Sequence, residues 1–444
     1  MSLKVKLSVM SFLQFAVWGA YLTSMGNYLA SIGMASKIGF FYAMQGIVSI
    51  IMPAVMGIVA DRWIPAQRLL SYCHALAALF IILAGYYGYS AGTEVTFSVL
   101  FVLYSCSVAF YMPTIALSNS VAYSSLTNNN FDTIKTFPPI RTLGTIGFIC
   151  AMLFVNFSGI QNGIFAFNFG SNAGFISFQN TYHQFFVSGI LGIVLFLFCF
   201  MLPHCPVNKK EGKKSLSEAL GLKAFSLFKE RKMAVFFIFS MLLGISLQIT
   251  NGYANPFITN FKELPEFAHS WGANNANALI SLSQVSETLC ILLIPFFLKR
   301  FGIKKVMIIA MFAWVLRFGF FAMGDPGSGV WMFVLSMIVY GIAFDFFNVS
   351  GSLFVDQETD KSIRSSAQGV FMMMTNGFGA TIGMIGAQFV VNHFVFSQTD
   401  INVQAEGWRI SWFVFAFYAL IVMFLFAVLF TYKHQPEKIE HINH

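Results

Sequence analysis

Four ionisable side chains, Arg141, Glu287, Arg317 and Asp345, lie well inside stretches that otherwise hold apolar, aromatic and small residues. The sharpest case is Tyr340-Gly-Ile-Ala-Phe-Asp-Phe-Phe-Asn-Val-Ser350, which sets a carboxylate among rings. A charged Asp at the centre of a membrane helix costs about 2.5 to 3.5 kcal/mol on insertion scales, so Asp345 is expected to face a polar cavity and to have a task there. Two acids and two bases balance, and buried charges survive best in pairs. At 1.5 Å per residue, Arg317 and Asp345 fall roughly 14 to 17 Å from the same side of consecutive apolar stretches. Two readings follow: a static buried ion pair, or an Asp345 that gains and loses a proton as Arg317 changes partners.

Around these charges stand amides and rings. Gln284 and Glu287 are three residues apart and share a helical face, and Gln248 and Asn251 repeat that spacing. Such amides hydrogen-bond to nucleobase edges or hydroxyls. Arg141, Thr145 and Phe148 form one stripe behind Pro138 and Pro139. A helix that starts at the prolines puts Arg141 only about 6 Å inside, where it either joins a cavity or snorkels to the interface. Gln14, Trp18 and Tyr21 share a face that should look inward, for helix-helix bonding or for substrate. Thr375-Asn-Gly-Phe378-Gly interrupts an apolar helix, which serves packing and cavities alike. Phe148, Tyr340, Phe344 and Phe378 offer flat surfaces to a planar ring. His74, the one histidine well inside an apolar stretch, reads as a hydrogen-bonded structural residue. The six cysteines have no paired spacing and read as small core residues, so neither a metal site nor a cofactor is expected.

The elements that position these side chains follow from composition. Of 444 residues 57% are hydrophobic, 54 are Phe and only 10% are charged, which excludes a soluble domain. Apolar runs of the roughly 20 residues needed to cross hydrocarbon recur throughout, with spans expected at 7-31, 38-60, 69-91, 95-119, 137-159, 183-202, 233-257, 274-298, 306-324, 329-353, 366-392 and 408-432. The net charge of +8 does not indicate nucleic acid, because the basic residues alternate by loop. About 21 of the 26, among them Lys4, Lys6, Arg62, Arg68, Lys299 and Arg300, fall on one side, with Lys37, Lys262 and Arg409 opposite; the positive-inside rule then places both termini in the cytoplasm. The expected organisation is an N-terminal bundle over 1-202, a basic cytoplasmic linker over 203-232, a C-terminal bundle over 233-432 and a cytoplasmic tail over 433-444. Within the linker, Ser215 to Phe228 is expected as an interfacial helix. Gly159 to Gln184 has no Lys or Arg and reads as an external loop.

The end of the second span, Gly57-Ile-Val-Ala-Asp61-Arg62-Trp-Ile-Pro-Ala-Gln-Arg68, resembles the loop signature of the major facilitator superfamily. A Gly there lets helices approach, and Asp and Arg clasp helix ends. Lys299-Arg300-Phe-Gly302-Ile-Lys304-Lys305 after the eighth span is a degraded echo without the leading Gly and the Asp. Several runs resemble something narrower: Ser11-Phe-Leu-Gln-Phe15, Phe137-Pro-Pro-Ile-Arg-Thr-Leu-Gly-Thr-Ile-Gly-Phe148, Leu247-Gln-Ile-Thr-Asn251, Ser283-Gln-Val-Ser-Glu287, Phe344-Asp-Phe-Phe-Asn348 and Thr375-Asn-Gly-Phe-Gly379 are similar to the bacterial nucleoside:proton symporter family. The resemblance implies an all-α integral membrane protein of twelve helices in two pseudo-symmetric six-helix bundles. It also implies alternating access between them and uptake of nucleosides with protons across the cytoplasmic membrane. Carried over by position, the substrate contacts would be Arg141, Thr145, Phe148, Gln248, Asn251, Gln284, Glu287, Tyr340, Phe344, Asp345, Asn348 and Phe378, with proton coupling at Asp345 and Glu287. Leu143 stands where the family pattern has Trp, and Gly252-Tyr253 also departs from it, which bears on which nucleosides fit.

The residues suit a neutral solute with a flat base and a hydroxylated ribose: rings to sandwich the base, amides to read its edge, Glu287 to accept hydroxyls. A nucleotide would call for a cluster of cations, and only two lie at depth. The remaining readings are a transporter of another neutral solute, such as a sugar or xenobiotic, and a membrane enzyme. The enzyme is disfavoured because no HExxH, paired catalytic Asp or Ser-His arrangement occurs at depth. The expected partners are a nucleoside, protons and membrane lipid, without nucleic acid, and the chain is expected to act as a monomer.

Overall fold

A computed structural model describes residues 1-170, 174-205, 222-360 and 363-432. The chain forms two compact units, Met1–Ala219 and Leu220–His444. Ten helices among the described residues are long and apolar enough to cross a membrane. The longest, Ala276–Met323, runs 48 residues, and Leu3–Gly19 with 17 residues lies just outside the ten.

In the first unit, Leu3–Gly19 packs on Thr133–Phe157 and His183–Phe198, Ala66–Ala91 packs on Phe97–Asn128 and His183–Phe198, and Ile38–Arg62 packs on Phe97–Asn128. Its first pair is joined backbone to side-chain-free backbone: a Cβ built on Gly147 would collide with the Phe12 carbonyl. Small residues permit such close approach between membrane helices, where van der Waals packing rather than the hydrophobic effect holds helices together.

The second unit repeats this order of pairing. Arg231–Asn260 packs on the Met373–Gly379 and Ala380–Val391 segments, Ile294–Met323 packs on Val330–Glu358 and Ile401–Leu429, and Ala276–Cys290 packs on Val330–Glu358. Here a Cβ on Gly244 would collide with the Thr375 carbonyl. Gly302, in the basic echo Lys299 to Lys305, has φ of 74° and ψ of 167°, so the chain turns there inside what otherwise reads as one helix.

Several expectations are corrected. The first apolar stretch is two helices, Leu3–Gly19 and Met25–Ser31, separated by a turn. The fifth begins at Thr133, with Pro138 and Pro139 inside it, so Arg141 lies eight residues, or about 12 Å, along the helix rather than about 6 Å. The eleventh is not uniformly α-helical, since Met373–Gly379 is a π-helical segment. The stretch read as an external loop holds an antiparallel sheet of Ser158–Gln161, Ile164–Phe167 and Phe175–Ser177, with the first strand central. Of the interfacial helix expected over Ser215 to Phe228, Leu222–Lys229 is a 3-10 helix and the earlier part lies outside the described residues, as do Lys209, Lys210, Lys213, Lys214 and the 433-444 tail. A Cβ built on Gly57 meets no heavy atom within 4 Å among the described residues. Arg62 ends the Ile38–Arg62 helix and Arg68 is exposed; the Asp61 side chain is outside the described set.

Candidate functional site

In the first unit the inward face of Leu3–Gly19 holds a fully buried polar network. The Gln14 amide nitrogen donates to Thr114 Oγ1 at 2.7 Å, and its oxygen lies 2.7 Å from His74 Nε2. Because the amide nitrogen is committed to Thr114, the oxygen is the acceptor and His74 carries its proton on Nε2. Tyr111 donates to the Gln14 carbonyl at 2.7 Å. His74 is 0% exposed, which fits the structural role read for it. Tyr21 and Trp18 continue the face, and Trp18 stands edge-on to Phe148 at 6.2 Å.

Arg141 is half-buried, with its guanidinium 3.9 Å from the ring centroid of Phe15. Thr145 is half-buried and Phe148 is buried on the same helical stripe. The structure therefore joins Phe148 to Trp18 and Arg141 to Phe15; the Ser11 to Phe15 run contained that last partner, which residue spacing alone did not single out.

In the second unit, Gln248 and Asn251 meet: the Asn251 amide donates to Gln248 Oε1 at 3.4 Å. Their stripe runs on through Asn255 and Thr259, where Asn255 donates to Asn277 Oδ1 at 3.0 Å and accepts from Thr259 at 3.1 Å. Asn255, Thr259 and Asn277 are missing from the sequence-derived set, although the repeated spacing of three and four residues marks the stripe. Gln284 is buried, and its Oε1 has no hydrogen-bond partner among the described residues. Glu287, one turn on, is half-buried.

Tyr340 and Phe344 lie parallel, 2° apart in plane with centroids 5.7 Å apart, and Trp314 meets Tyr340 edge-on at 6.0 Å. Tyr340 is within electrostatic reach of Glu287, Arg317 and Asp345. Asp345 is 6% exposed, one residue round the helix from Phe344. Asn348 turns back and donates to the Phe344 carbonyl at 3.0 Å. Phe378 lies in the π-helical segment and is 37% exposed, with no ring stacked on it among the described residues.

The proposed pairing of Arg317 with Asp345 is corrected. Arg317, 1% exposed, donates through Nη1 to the Ser336 carbonyl at 2.7 Å and to Ser283 Oγ at 3.3 Å, and its guanidinium lies 4.5 Å from the Tyr340 ring centroid. Ser336 returns a bond to the Arg317 carbonyl at 3.0 Å. These bonds fix the register of the two helices at Ser336, and Asp345 lies nine residues further along its helix, about 13 Å away. Similar counts from the helix ends, about eleven and nine residues, gave a matching depth; the register at Ser336 does not.

Residues 1–435 match the family model described as nucleoside H+ symporter. The chain is 44% identical over 437 residues to the nucleoside permease NupG of Escherichia coli (strain K12), covering 98% of this chain and 97% of that one. It is likewise 44% identical over 444 residues to the xanthosine permease of the same organism, covering 99% of each. A crystal structure of the nucleoside transporter NupG superposes with a TM-score of 0.84 at 43% identity, over 98% of this chain and 100% of the other.

Proposed function

Because this chain belongs to the nucleoside H+ symporter family, we propose that it takes up nucleosides together with protons across the cytoplasmic membrane. The observation that carries this reading is the family match over almost the whole chain, joined to a relative of 44% identity that is itself a nucleoside permease. The direct test is uptake of labelled uridine, inosine and xanthosine into a transport-deficient cell, with and without a protonophore. Accumulation that the protonophore abolishes is expected; accumulation indifferent to it would remove the proton from the reading.

The count of twelve crossings is supported by two features. A run of 48 residues spans about 72 Å as helix, more than twice the roughly 30 Å of hydrocarbon, and Gly302 turns the chain inside it. Leu3–Gly19 with Met25–Ser31 supplies the other additional crossing. The repeated order of helix pairing in the two units supports two six-helix halves working by alternating access. With Lys4, Lys6, Lys299 and Arg300 on the cytoplasmic side, both termini are cytoplasmic, and a single chain is the transporting unit.

Each site residue then has a task. The parallel rings of Tyr340 and Phe344 take a base against their faces, with Phe378 of the same unit as further apolar surface. Gln284 Oε1 accepts from a base N–H, and the Gln248 and Asn251 amides read the rest of its edge. Glu287 accepts ribose hydroxyls through charge-assisted bonds. Asn348 carries an acceptor oxygen beside Phe344. In the first unit, Arg141, Thr145 and Phe148 on one helical stripe are proposed as nucleoside contacts. Asp345, buried on the helix that carries Tyr340 and Phe344, is the principal proton acceptor.

A further inference from the structure

Among the described residues, Arg317 is the one deeply buried cation of the second unit to which the reading above gives no task. Its surroundings are built rather than incidental. Ser283 comes from Ala276–Cys290, the helix that carries Gln284 and Glu287, and the Ser336 carbonyl comes from Val330–Glu358, the helix that carries Tyr340 and Phe344. Met337 Sδ lies 4.0 Å from the same Nη1 and also accepts from Ser283 Oγ at 3.0 Å. The guanidinium thus ties together the two ligand-bearing helices from a third, Ile294–Met323, to which no ligand has been assigned.

The same guanidinium stands 4.5 Å from the Tyr340 centroid and 5.2 Å from that of Phe321. A cation over an aromatic face is attracted by the ring quadrupole, and the attraction grows once water is excluded. Tyr340 is therefore held by three neighbours: the cation, the edge of Trp314 and the parallel ring of Phe344. A planar guanidinium presents several donors in a fixed fork, whereas an ammonium is a point charge that cannot hold this geometry.

We propose that Arg317 is a positioning residue for nucleoside binding, fixing the Tyr340–Phe344 ring wall and its register against Gln284 and Glu287 from behind without touching the substrate. The inference rests on the reading that these rings stack on the base. A positioning role predicts that changes at Arg317 raise KM through Tyr340 and not independently of it.

The test is a double-mutant cycle in intact protein reconstituted in vesicles, reading KM and maximal rate per inserted molecule for uridine and inosine. R317K is expected to raise KM by about tenfold with maximal rate held within about twofold, since the cation stays and the fork is lost. In a Y340L background R317K is expected to add less than about twofold, because the ring it acts on is gone. S283A, which removes one prop and leaves the arginine, is expected to raise KM by about threefold and keeps the question open to measurement should R317K fail to insert. An unchanged KM in R317K and S283A, or effects that multiply fully with Y340L, would overturn the proposal. If Y340L itself leaves KM unchanged, the stacking reading fails instead, so the two failures are distinguishable.

Discussion

The guanidinium of Arg141 sits 3.9 Å from the ring centroid of Phe15, a cation-ring contact between the fifth apolar stretch of the chain and the first. A partly buried contact of this kind contributes on the order of 1 kcal/mol, or roughly fivefold in affinity if it holds a substrate ligand in place. F15L is therefore expected to raise nucleoside KM by about three- to tenfold, and F15Y to leave it nearly unchanged. Uptake kinetics of the two variants at equal membrane abundance decide this. Equal behaviour of F15L and F15Y would mean that the ring does not set the arginine.

Asp345 is tested by removing its ability to titrate. D345N is expected to lose concentrative, proton-driven uptake while keeping nucleoside counterflow within about threefold of the parent, because binding and exchange need no net proton movement. Concentrative uptake that survives intact would move the coupling site elsewhere, with Glu287 next in line.

Glu287 is expected to act on ribose. Charge-assisted hydrogen bonds are about twice as strong as neutral ones, so E287Q should raise KM by about ten- to a hundredfold for a ribonucleoside. The effect should shrink for a nucleoside that lacks the hydroxyl in question. Competition by 2′-deoxy, 3′-deoxy and 5′-deoxy analogues against labelled uridine, in parent and variant, identifies that hydroxyl. An equal loss for every analogue would point to the base or to folding.

The backbone contacts at Gly147 and Gly244 leave no room for a methyl group. G147A and G244A should each destabilise the protein by about 1 to 3 kcal/mol through overpacking. The check is the thermal midpoint of detergent-solubilised protein by differential scanning fluorimetry. G57A serves as the control, since nothing lies within 4 Å of that position among the described residues.

His74 separates a structural histidine from a proton carrier. Its Nε2 hydrogen bond to Gln14 and its full burial predict that H74Q lowers protein abundance without shifting the pH profile of uptake per molecule. A D345N profile that flattens while the H74Q profile keeps its shape would assign the titration to the carboxylate.

The sequence showed the membrane class, the repeat of the loops and the set of polar residues at depth, because each is written in local composition: a carboxylate among phenylalanines is anomalous wherever the helix is placed. Pairing across helices was not legible. Arg317 and Asp345 have similar residue counts from their ends, and only the bonds at Ser336 reveal that the two helices slide past that register. Ser336 gave no signal, and Ser283 stood out only within the Ser283 to Glu287 run, since a serine that props an arginine has the same spacing as one that merely packs. The Ser158–Ser177 sheet was missed because a Gly- and Asn-rich uncharged stretch has the composition of a loop, although its strands pair in register. The helix start at Thr133 was missed for a related reason: prolines favour a first turn, and here two of them are accommodated further in.

Because serine, carbonyl and ring hold Arg317, its charge stays in place whatever the carboxylates do. On the proposed coupling, a proton taken up on Asp345 adds one positive charge to the carrier, while the nucleoside adds none. At a membrane potential of 100 mV, inside negative, the inward step of the loaded carrier would then gain about 2.3 kcal/mol per proton relative to the return of the empty one.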